Sequence, residues 1–176
     1  MAEIRTVHTA NLDAATSQAA RALLFEVFDD MTEEDWEHCL GGIHTLAWEG
    51  GELVGHASVV QRRLLYGGRA LRTGYVEGVG VRPDRQRHGI GGALMEPLER
   101  AVRTAYDLGA LGSSDAGATF YQRRGWKLWQ GPTRALTPTG VRRTEADDGC
   151  VHVLPVTVAL DLTGTLTCDW RDGDVW

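Results

Sequence analysis

A short stretch at residues 82–94, RPDRQRHGIGGAL, concentrates positive charge and glycine at one place in the chain. It holds arginines at positions 82, 85 and 87 and glycines at 89, 91 and 92, immediately before an amphipathic helical pattern. The start of a helix presents unpaired N–H groups and a partial positive charge, and glycine lets an anion approach that backbone closely. Arginines add charge-assisted hydrogen bonds. The stretch is therefore predicted to bind a phosphate, with a pyrophosphate as the natural ligand.

Two other residues have side chains suited to acid–base chemistry. Glu77 lies on a mostly apolar strand pattern, where burial would raise the pKa of a carboxyl group towards a useful value. Tyr121 lies in a short helical pattern, and a phenol with a pKa of about 10 can donate a proton. Each has a structural alternative. Glu77 could be a surface residue of an edge strand, and Tyr121 could simply pack on the sheet, a role that Phe120 could fill instead.

The elements that position these residues follow from the hydrophobic periodicity and the turn residues. Glycines 74, 78 and 80 in the third long strand pattern predict a bulge or the close approach of a ligand. The order β-α-α-β-β-β-α-β-α-β-β predicts a mixed α+β fold, α/β in the broad sense, with one domain over residues 1–176. Helices are predicted at 16–28 (capped by Thr16 or Ser17), 32–40, 90–108 and 118–124. Strands are predicted at 4–9, on both sides of a hairpin at 49–52, and at 71–81, 110–114, 126–129 and 151–162, with a loop at 136–149.

Charge is distributed unevenly along the sequence. Residues 1–81 carry a net charge of −6, residues 82–143 carry +6 and residues 144–176 carry −6. A solvated surface could show this by chance, but a protein that binds one anionic and one cationic ligand would show it for a reason.

Several classes of protein are disfavoured by what the sequence lacks. It has no apolar run of transmembrane length and no signal-peptide core, so we expect a soluble, cytoplasmic protein that does not bind a membrane. Three cysteines without a CxxC pair and scattered histidines predict no metal site. P-loop, Rossmann and nucleophile-elbow motifs are missing. Nucleic-acid binding is disfavoured because the acidic ends would repel a phosphate backbone.

The sequence QRHGIG at residues 86–91 matches the pattern [Q/R]xxGx[G/A]. With the preceding strand YVEGVGV and the long helix that follows, it resembles the coenzyme A signature of the GNAT superfamily of N-acetyltransferases. The resemblance implies a single acyl-CoA N-acyltransferase domain, with a mixed, mostly antiparallel sheet, a central splay and helices on both faces. It implies acetyl-CoA as co-substrate and Tyr121 as general acid. The implied cofactor-binding residues are Val79, Gly80, Val81, Gln86, Arg87, His88, Gly89, Ile90, Gly91, Gly92, Ala116 and Gly117.

A closer resemblance runs along almost the whole chain. The segments DWEHCLGGIHTLAWEGG, FYQRRGW, PTGVRRTEADDG and CDWRDGDVW are similar to those of the aminoglycoside 2'-N-acetyltransferases, enzymes of antibiotic resistance. This implies direct transfer of acetyl to a 2'-amine, with Glu77 as general base through a water molecule. The implied substrate-binding residues are Asp30, Asp35, Glu77, Gly78, Gly112, Asp147, Asp174 and Trp176, the last through a terminal carboxylate. The family often has serine where this chain has Gly112, so contact there is limited to the backbone.

Two alternative functions remain open at this stage. One is a GNAT enzyme for another cationic amine, such as a polyamine or a cell-envelope amino sugar, because acidic loops suit any polyamine. The other is a non-catalytic module that binds acetyl-CoA or an aminoglycoside, against which the presence of both Glu77 and Tyr121 argues. The resemblance also implies a homodimer.

Overall fold

A computed structural model describes residues 2–176, which form ten strands, four α-helices and three short 3-10 turns. The strands are Glu3–His8 (β1), Ile43–Glu49 (β2), Glu52–Tyr66 (β3), Arg69–Val81 (β4), Leu108–Gly112 (β5), Lys127–Leu128 (β6), Thr133–Thr137 (β7), Gly140–Arg143 (β8), Val151–Pro155 (β9) and Leu166–Cys168 (β10). The helices are Ala14–Val27 (α1), Glu33–His38 (α2), Ile90–Ala105 (α3) and Asp115–Arg123 (α4).

These elements fall into two compact units. Within the described residues, the first unit comprises 2–60 and 76–101, and the second comprises 61–75 and 102–176. Strands β3 and β4 each contribute residues to both units. The expectations of a single domain and of a central splay stay predictions. Among residues 2–176, no helix is both long enough and apolar enough to cross a bilayer.

The first unit packs helices on an antiparallel sheet, in which β1 pairs with β2 and β2 pairs with β3. Its core joins residues of α1, α2 and β2, including Leu24, Trp36 and Leu46. Burying each such side chain stabilises the fold by roughly 1.5–3 kcal/mol. Helix α3 approaches β3 closely at Gly55, where a Cβ atom would stand 3.0 Å from Leu94 Cδ1. This packing fixes the start of α3 against the sheet.

The second unit is built on a mixed sheet in the order β6-β9-β5-β4-β3-β10-β7-β8. Its β4–β5 pair, over Thr73–Tyr75, and its β10–β7 pair are parallel, whereas β5–β9, β6–β9, β7–β8 and β10–β3 are antiparallel. Trp126 and Trp129 are among its largest fully buried side chains. The mixed, mostly antiparallel sheet and the α+β class are thus confirmed.

Several predicted helix boundaries are wrong, and two of the differences have a clear physical cause. Helix α1 begins at Ala14, because the Asp13 side chain accepts the N–H of Thr16 and caps the helix earlier than expected. Helix α3 ends at Ala105 rather than at Leu108, because Leu108 pairs with Thr73 as the first residue of β5. Sheet pairing thus overrides the apolar periodicity there.

The segment 136–149, expected to be a loop, contains a hairpin. Strands β7 and β8 pair antiparallel, with Thr137 opposite Gly140, and a 3-10 turn follows at Glu145–Asp147. The four residues of β8 are all exposed, so they lack the alternating apolar pattern by which strands are recognised.

Candidate active site

Strand β4 has a left-handed residue directly after Glu77. Gly78 has a φ of 55°, and a Cβ atom there would stand 2.7 Å from Cys39 Sγ and 3.0 Å from Leu24 Cδ1. Both the backbone and the packing therefore require glycine, as in strand bulges that redirect a neighbouring side chain. Gly80 differs, since its Cβ would lie 2.8 Å from Leu24 Cδ2. Its lack of a side chain is explained by the packing of α1 alone.

A chain of buried hydrogen bonds holds the Gly78 carbonyl. His56 Nδ1 lies 2.8 Å from this oxygen, His56 Nε2 lies 2.9 Å from His44 Nδ1, and His44 Nε2 lies 2.7 Å from Thr9 Oγ1. Because a carbonyl only accepts, His56 Nδ1 donates, and each ring then accepts at Nε2. Burial lowers the pKa of His44 to about 4 and that of His56 to about 3. Both rings are therefore neutral near pH 7, and the direction of the chain is fixed.

The carboxylates of the first unit have different surroundings. Glu77 is half-buried, and its backbone carbonyl accepts a bond from Ser58 Oγ at 3.4 Å. Asp35 completes a capping box with Thr32 at the start of α2. Its backbone carbonyl also accepts a bond from the Cys39 thiol that packs on Gly78. Cys39 thus connects the backbone of Asp35 to the left-handed position of β4 at Gly78. Asp30 is exposed in the turn before α2.

The expectation that the arginines at 82, 85 and 87 all bind the phosphate needs correction. Arg82 bonds the carboxylates of Asp84 and Glu52, and Arg85 bonds those of Asp84 and Glu49. Both guanidinium groups are therefore paired with carboxylates of this turn and of the β2–β3 hairpin. Exposed Arg87 is different, since its φ of 63° places a non-glycine residue in the left-handed region.

The start of α3 offers backbone groups for an anion. Gln86 Nε2 donates to the Val81 carbonyl at 3.1 Å and ties the end of β4 to the turn. Gly89 has a φ of 81°, and its carbonyl accepts the N–H of Ala93, so the helix begins there. In the first turn, the N–H groups of the following residues have no intrahelical partner. The predicted residues of this turn are Ile90, whose side chain is buried, and Gly91 and Gly92, preceded by exposed His88.

Tyr121 lies in the second unit, on α4, which begins at Asp115 rather than at Ala118 as expected. Tyr121 is 8% exposed, and its ring lies near those of Trp126 and His152, with ring centroids 6.3 Å and 6.2 Å away. Burial raises the pKa of Tyr121 to about 12, so the phenol is protonated near pH 7. Phe120 is only half-buried and does not take over the core position.

The small residues before Tyr121 are also accounted for. A Cβ atom on Gly117 would stand 2.8 Å from Ser113 Oγ and 3.4 Å from Tyr121 Cε2. Close packing inside the unit therefore requires glycine here, whether or not a cofactor passes nearby. Ala116 is exposed.

Two neighbouring aspartates of the second unit, Asp147 and Asp148, differ in their surroundings. Asp148 bonds Arg143 and both the N–H and the hydroxyl of Thr133, which holds its pKa well below the usual range. Asp147 is half-buried, and burial together with the nearby charge of Asp174 raises its pKa. A carboxylate held close to another carboxylate in this way favours a cationic ligand.

Trp176 occupies a defined place beside these carboxylates. It is 5% exposed, its Nε1 donates to Thr144 Oγ1 at 3.0 Å, and its backbone N–H donates to Asp174 Oδ1 at 3.1 Å. A Cβ atom on Gly112 would lie 3.5 Å from the carbonyl of Trp176. The structure therefore brings together four of the predicted substrate-binding residues: Gly112, Asp147, Asp174 and Trp176.

Sequence reasoning missed two residues that organise this region. Thr144 holds the Trp176 indole, and Arg62, which is 5% exposed, bonds the segment that follows β10. A signal existed for Arg62, because Val60 and Leu64 flank it at strand spacing on a buried face. Among residues 2–176, no three His, Cys, Asp or Glu side chains are grouped as metal ligands would be.

The fold and the glycine-rich helix start define a class of protein. Residues 3–129 match the family described as the acetyltransferase (GNAT) domain. The chain belongs to this family. It is 51% identical to an aminoglycoside 2'-N-acetyltransferase from Mycolicibacterium fortuitum, over 98% of this chain and 91% of that one.

Two solved structures show the same fold at low identity. A GNAT family acetyltransferase from Brucella melitensis in complex with acetyl-CoA has a TM-score of 0.63 and 18% identity, with 94% of each chain covered. Eis1 from Mycobacterium abscessus has a TM-score of 0.61 and 24% identity, and the match covers 76% of this chain. This chain spans 33% of the Eis1 chain, so that comparison concerns one part of a longer protein.

Proposed function

We propose that this protein transfers an acetyl group from acetyl-CoA directly to the 2'-amino group of an aminoglycoside. The observation that carries the proposal is the 51% identity to an aminoglycoside 2'-N-acetyltransferase over almost the whole length of both chains. The drug is a polycation with many hydroxyl groups. Binding it requires carboxylates and backbone groups rather than apolar walls, which matches the acidic residues of both units.

Acetyl-CoA is the proposed co-substrate, and the residues of the first unit suit its pyrophosphate. The start of α3 supplies backbone N–H groups, and Gly89 has open space where a side chain would stand. We assign Val79–Val81 and Gln86–Gly92 to the cofactor, mainly through the backbone, because Arg82 and Arg85 are already paired with carboxylates. In the second unit, Ala116 and Gly117 are assigned to the cofactor arm.

The proposed substrate groups are assigned unit by unit. In the first unit, these are Asp30, Asp35, Glu77 and Gly78. In the second, they are Gly112, Asp147, Asp174 and Trp176. The raised pKa of Asp147 supports this assignment, since a nearby ammonium group would relieve the repulsion between Asp147 and Asp174.

Two residues are assigned to proton transfer. Glu77 takes the proton of the attacking amine through a water molecule while the amine nitrogen forms a bond to the thioester carbon. Tyr121 donates its proton to the departing sulfur as the carbon–sulfur bond breaks, so that free coenzyme A leaves as a thiol. The pKa of about 12 keeps Tyr121 protonated before the reaction, as a general acid requires.

The first test follows thiol release from acetyl-CoA with a panel of amines. The panel contains gentamicin and tobramycin, which carry a 2'-amine, kanamycin A and amikacin, which carry a 2'-hydroxyl, and spermidine. We expect turnover only with the first pair. Turnover of spermidine alone would favour another cationic amine, and tight acetyl-CoA binding without turnover would favour a binding module. Reactions without an amine correct for the protein's own thiols, among which Cys150 is partly accessible.

The second test replaces the proposed base. Glu77→Gln keeps the size of the side chain and should lower kcat by about 100-fold or more, with a smaller change in the KM values. Glu26→Gln, at an exposed position on α1, is the matched control and should behave as the wild type. Activity of Glu77→Gln close to that of the wild type would remove Glu77 from its role. Size-exclusion chromatography with light scattering tests the homodimer that we also propose from the family.

A further inference from the structure

The segment Asp169–Trp176, here called the carboxyl-terminal segment, contains no helix or strand. It follows β10 and carries two of the proposed amine-binding residues, Asp174 and Trp176. Its first residue joins β3 through the N–H of Asp169, which donates to the Arg63 carbonyl at 3.1 Å. Without regular backbone pairing along its length, the segment depends on side chains for its position.

One buried side chain holds the segment near both ends. Arg62 Nε donates to Asp169 Oδ1 at 2.8 Å, and Nη2 donates to the carbonyls of Asp169 at 3.0 Å and Val175 at 2.8 Å. A guanidinium group is planar, so its donors keep a fixed geometry. The two residues it joins are therefore held at a set separation, and the residues between them must form a bend.

A second arginine, Arg171, forms hydrogen bonds within that bend. Arg171 Nε donates to the Asp174 carbonyl at 2.7 Å, and Nη2 donates to the Trp176 carbonyl at 3.2 Å. Both guanidinium groups lie by the Tyr75 ring, with Arg62 Cζ 4.6 Å and Arg171 Cζ 5.4 Å from its centroid. Tyr75 thus serves as a common platform for the two cations.

Burying the charged side chain of Arg62 costs desolvation free energy, which offsets much of what its contacts contribute to the stability of the fold. It is 5% exposed, and its Nη1 atom is buried without a hydrogen-bond partner among residues 2–176. Its ionic partner Asp169 is 37% exposed and could be solvated without it. Buried ion pairs of this kind contribute little net stability, and apolar replacements are often neutral. The arginine is better explained by the geometry that it imposes on the segment.

We propose that Arg62 is a positioning residue for amine binding, which holds the carboxyl-terminal segment where Asp174 and Trp176 can contact the amine. The inference rests on the proposed function. Arg62 acts through the segment, because its own side chain is buried beneath it. The carbonyl of Trp176 is 3.5 Å from the site of a Cβ atom on Gly112, so a displacement of the segment would alter that edge of the amine site as well.

The test compares Arg62→Met and Arg62→Lys with Arg63→Met, a matched control on the exposed face of the same strand. We measure KM for the aminoglycoside, KM for acetyl-CoA, and hydrogen exchange of residues 169–176. For Arg62→Met we expect the amine KM to rise about tenfold, with the acetyl-CoA KM within about twofold of the wild type and exchange in the segment at least about tenfold faster. The amine KM and the exchange rate of Arg62→Lys should lie between those of the wild type and Arg62→Met. Both quantities should be unchanged in Arg63→Met.

Two results would overturn the proposal. One is wild-type exchange and wild-type amine KM in Arg62→Met. The other is an equal rise of both KM values with lowered thermal stability, which indicates a general structural role. Should Arg62→Met fail to fold, Asp169→Asn removes the ionic partner at the exposed end and is judged by the same readouts. Hydrogen exchange needs no turnover. An enzyme that acetylates no aminoglycoside would therefore end the proposed function, while exchange separately decides whether Arg62 holds the segment.

Discussion

The cofactor segment, residues 79–92, and the carboxyl-terminal segment, residues 169–176, differ in the groups that they present. In the cofactor segment, Gln86 bonds the Val81 carbonyl five residues away, and the arginines at 82 and 85 bond carboxylates at the ends of the β2–β3 hairpin. In the carboxyl-terminal segment, Arg62 bonds residues 107 and 113 positions distant. The groups that we assign to acetyl-CoA in the first segment lie mainly on the backbone, whereas those that we assign to the amine in the second include the side chain of Asp174. Backbone recognition needs a particular local conformation, whereas side-chain recognition needs distant parts of the chain to fold correctly.

The largest effect on cofactor binding should come from the backbone of the cofactor segment. Gly89 has a φ of 81° with nothing near its missing Cβ atom, so Gly89→Ala adds conformational strain without a clash. A strain of about 1–2 kcal/mol predicts a rise in the acetyl-CoA KM of about 5- to 30-fold, with the amine KM nearly unchanged. The measurement is steady-state kinetics with each substrate varied in turn.

Gly68→Ala is the matched control for this prediction. Gly68 has a φ of 76° and equally open surroundings, but it lies in the turn between β3 and β4. Both variants should lose a similar amount of thermal stability, and only Gly89→Ala should affect cofactor binding. A wild-type acetyl-CoA KM in Gly89→Ala would contradict the view that backbone conformation governs this segment.

The next effect concerns a side chain of the carboxyl-terminal segment. Asp174→Asn keeps a hydrogen-bond acceptor for the Trp176 N–H but removes the charge. Loss of one charged contact to an ammonium group predicts a rise in the amine KM of about tenfold, with the acetyl-CoA KM unchanged. Glu26→Gln, which removes one negative charge at an exposed position on α1, is the control. A larger change in the acetyl-CoA KM than in the amine KM would contradict the assignment of this segment to the amine.

Lowering the pH should affect the amine KM but not the acetyl-CoA KM. Burial and the neighbouring Asp174 raise the pKa of Asp147, so this carboxyl group becomes neutral at a higher pH than an ordinary aspartic acid. As pH falls through that raised pKa, the negative charge is lost and the amine KM should rise, by up to about tenfold, while the acetyl-CoA KM stays level. Steady-state KM values between pH 7.5 and 4.5 test this.

Two variants test whether Asp147 causes the rise of the amine KM at low pH, here called the acidic limb of the pH profile. In Asp147→Asn the limb should disappear, since the titrating group is gone. In Asp174→Asn it should move to lower pH, because the like charge that raises the pKa of Asp147 has been removed. A limb that persists unchanged in Asp147→Asn would belong to another group.

The same contrast explains how far the sequence could predict this structure. The helix start at Gly89 and the kink at Gly78 were foreseeable, because glycine at such positions reports local backbone geometry. Two other contacts could not be predicted, namely the ion pair of Arg82 with Glu52 and the hydrogen bond from Arg62 to the Val175 carbonyl. Both join segments that meet only in the folded chain. For the same reason, residue types alone do not separate Asp147 from Asp148, which is bound to Arg143, and only the family resemblance selects Asp147.

The smallest effect should come from Gly112, where the resembling family often has serine. A Cβ atom there would stand 3.5 Å from Trp176 and 3.7 Å from Tyr75 Oη, which are ordinary contact distances. Gly112→Ser should therefore fit without strain and supply a hydroxyl beside the amine site. One neutral hydrogen bond predicts a decrease in the amine KM of about threefold, again with no change for acetyl-CoA. Gly112→Ala adds the same Cβ atom without the hydroxyl and should match the wild type. If the alanine variant gained as much as the serine variant, rigidity of β5 rather than a hydroxyl contact would be responsible, and backbone conformation would then matter on the amine side as well.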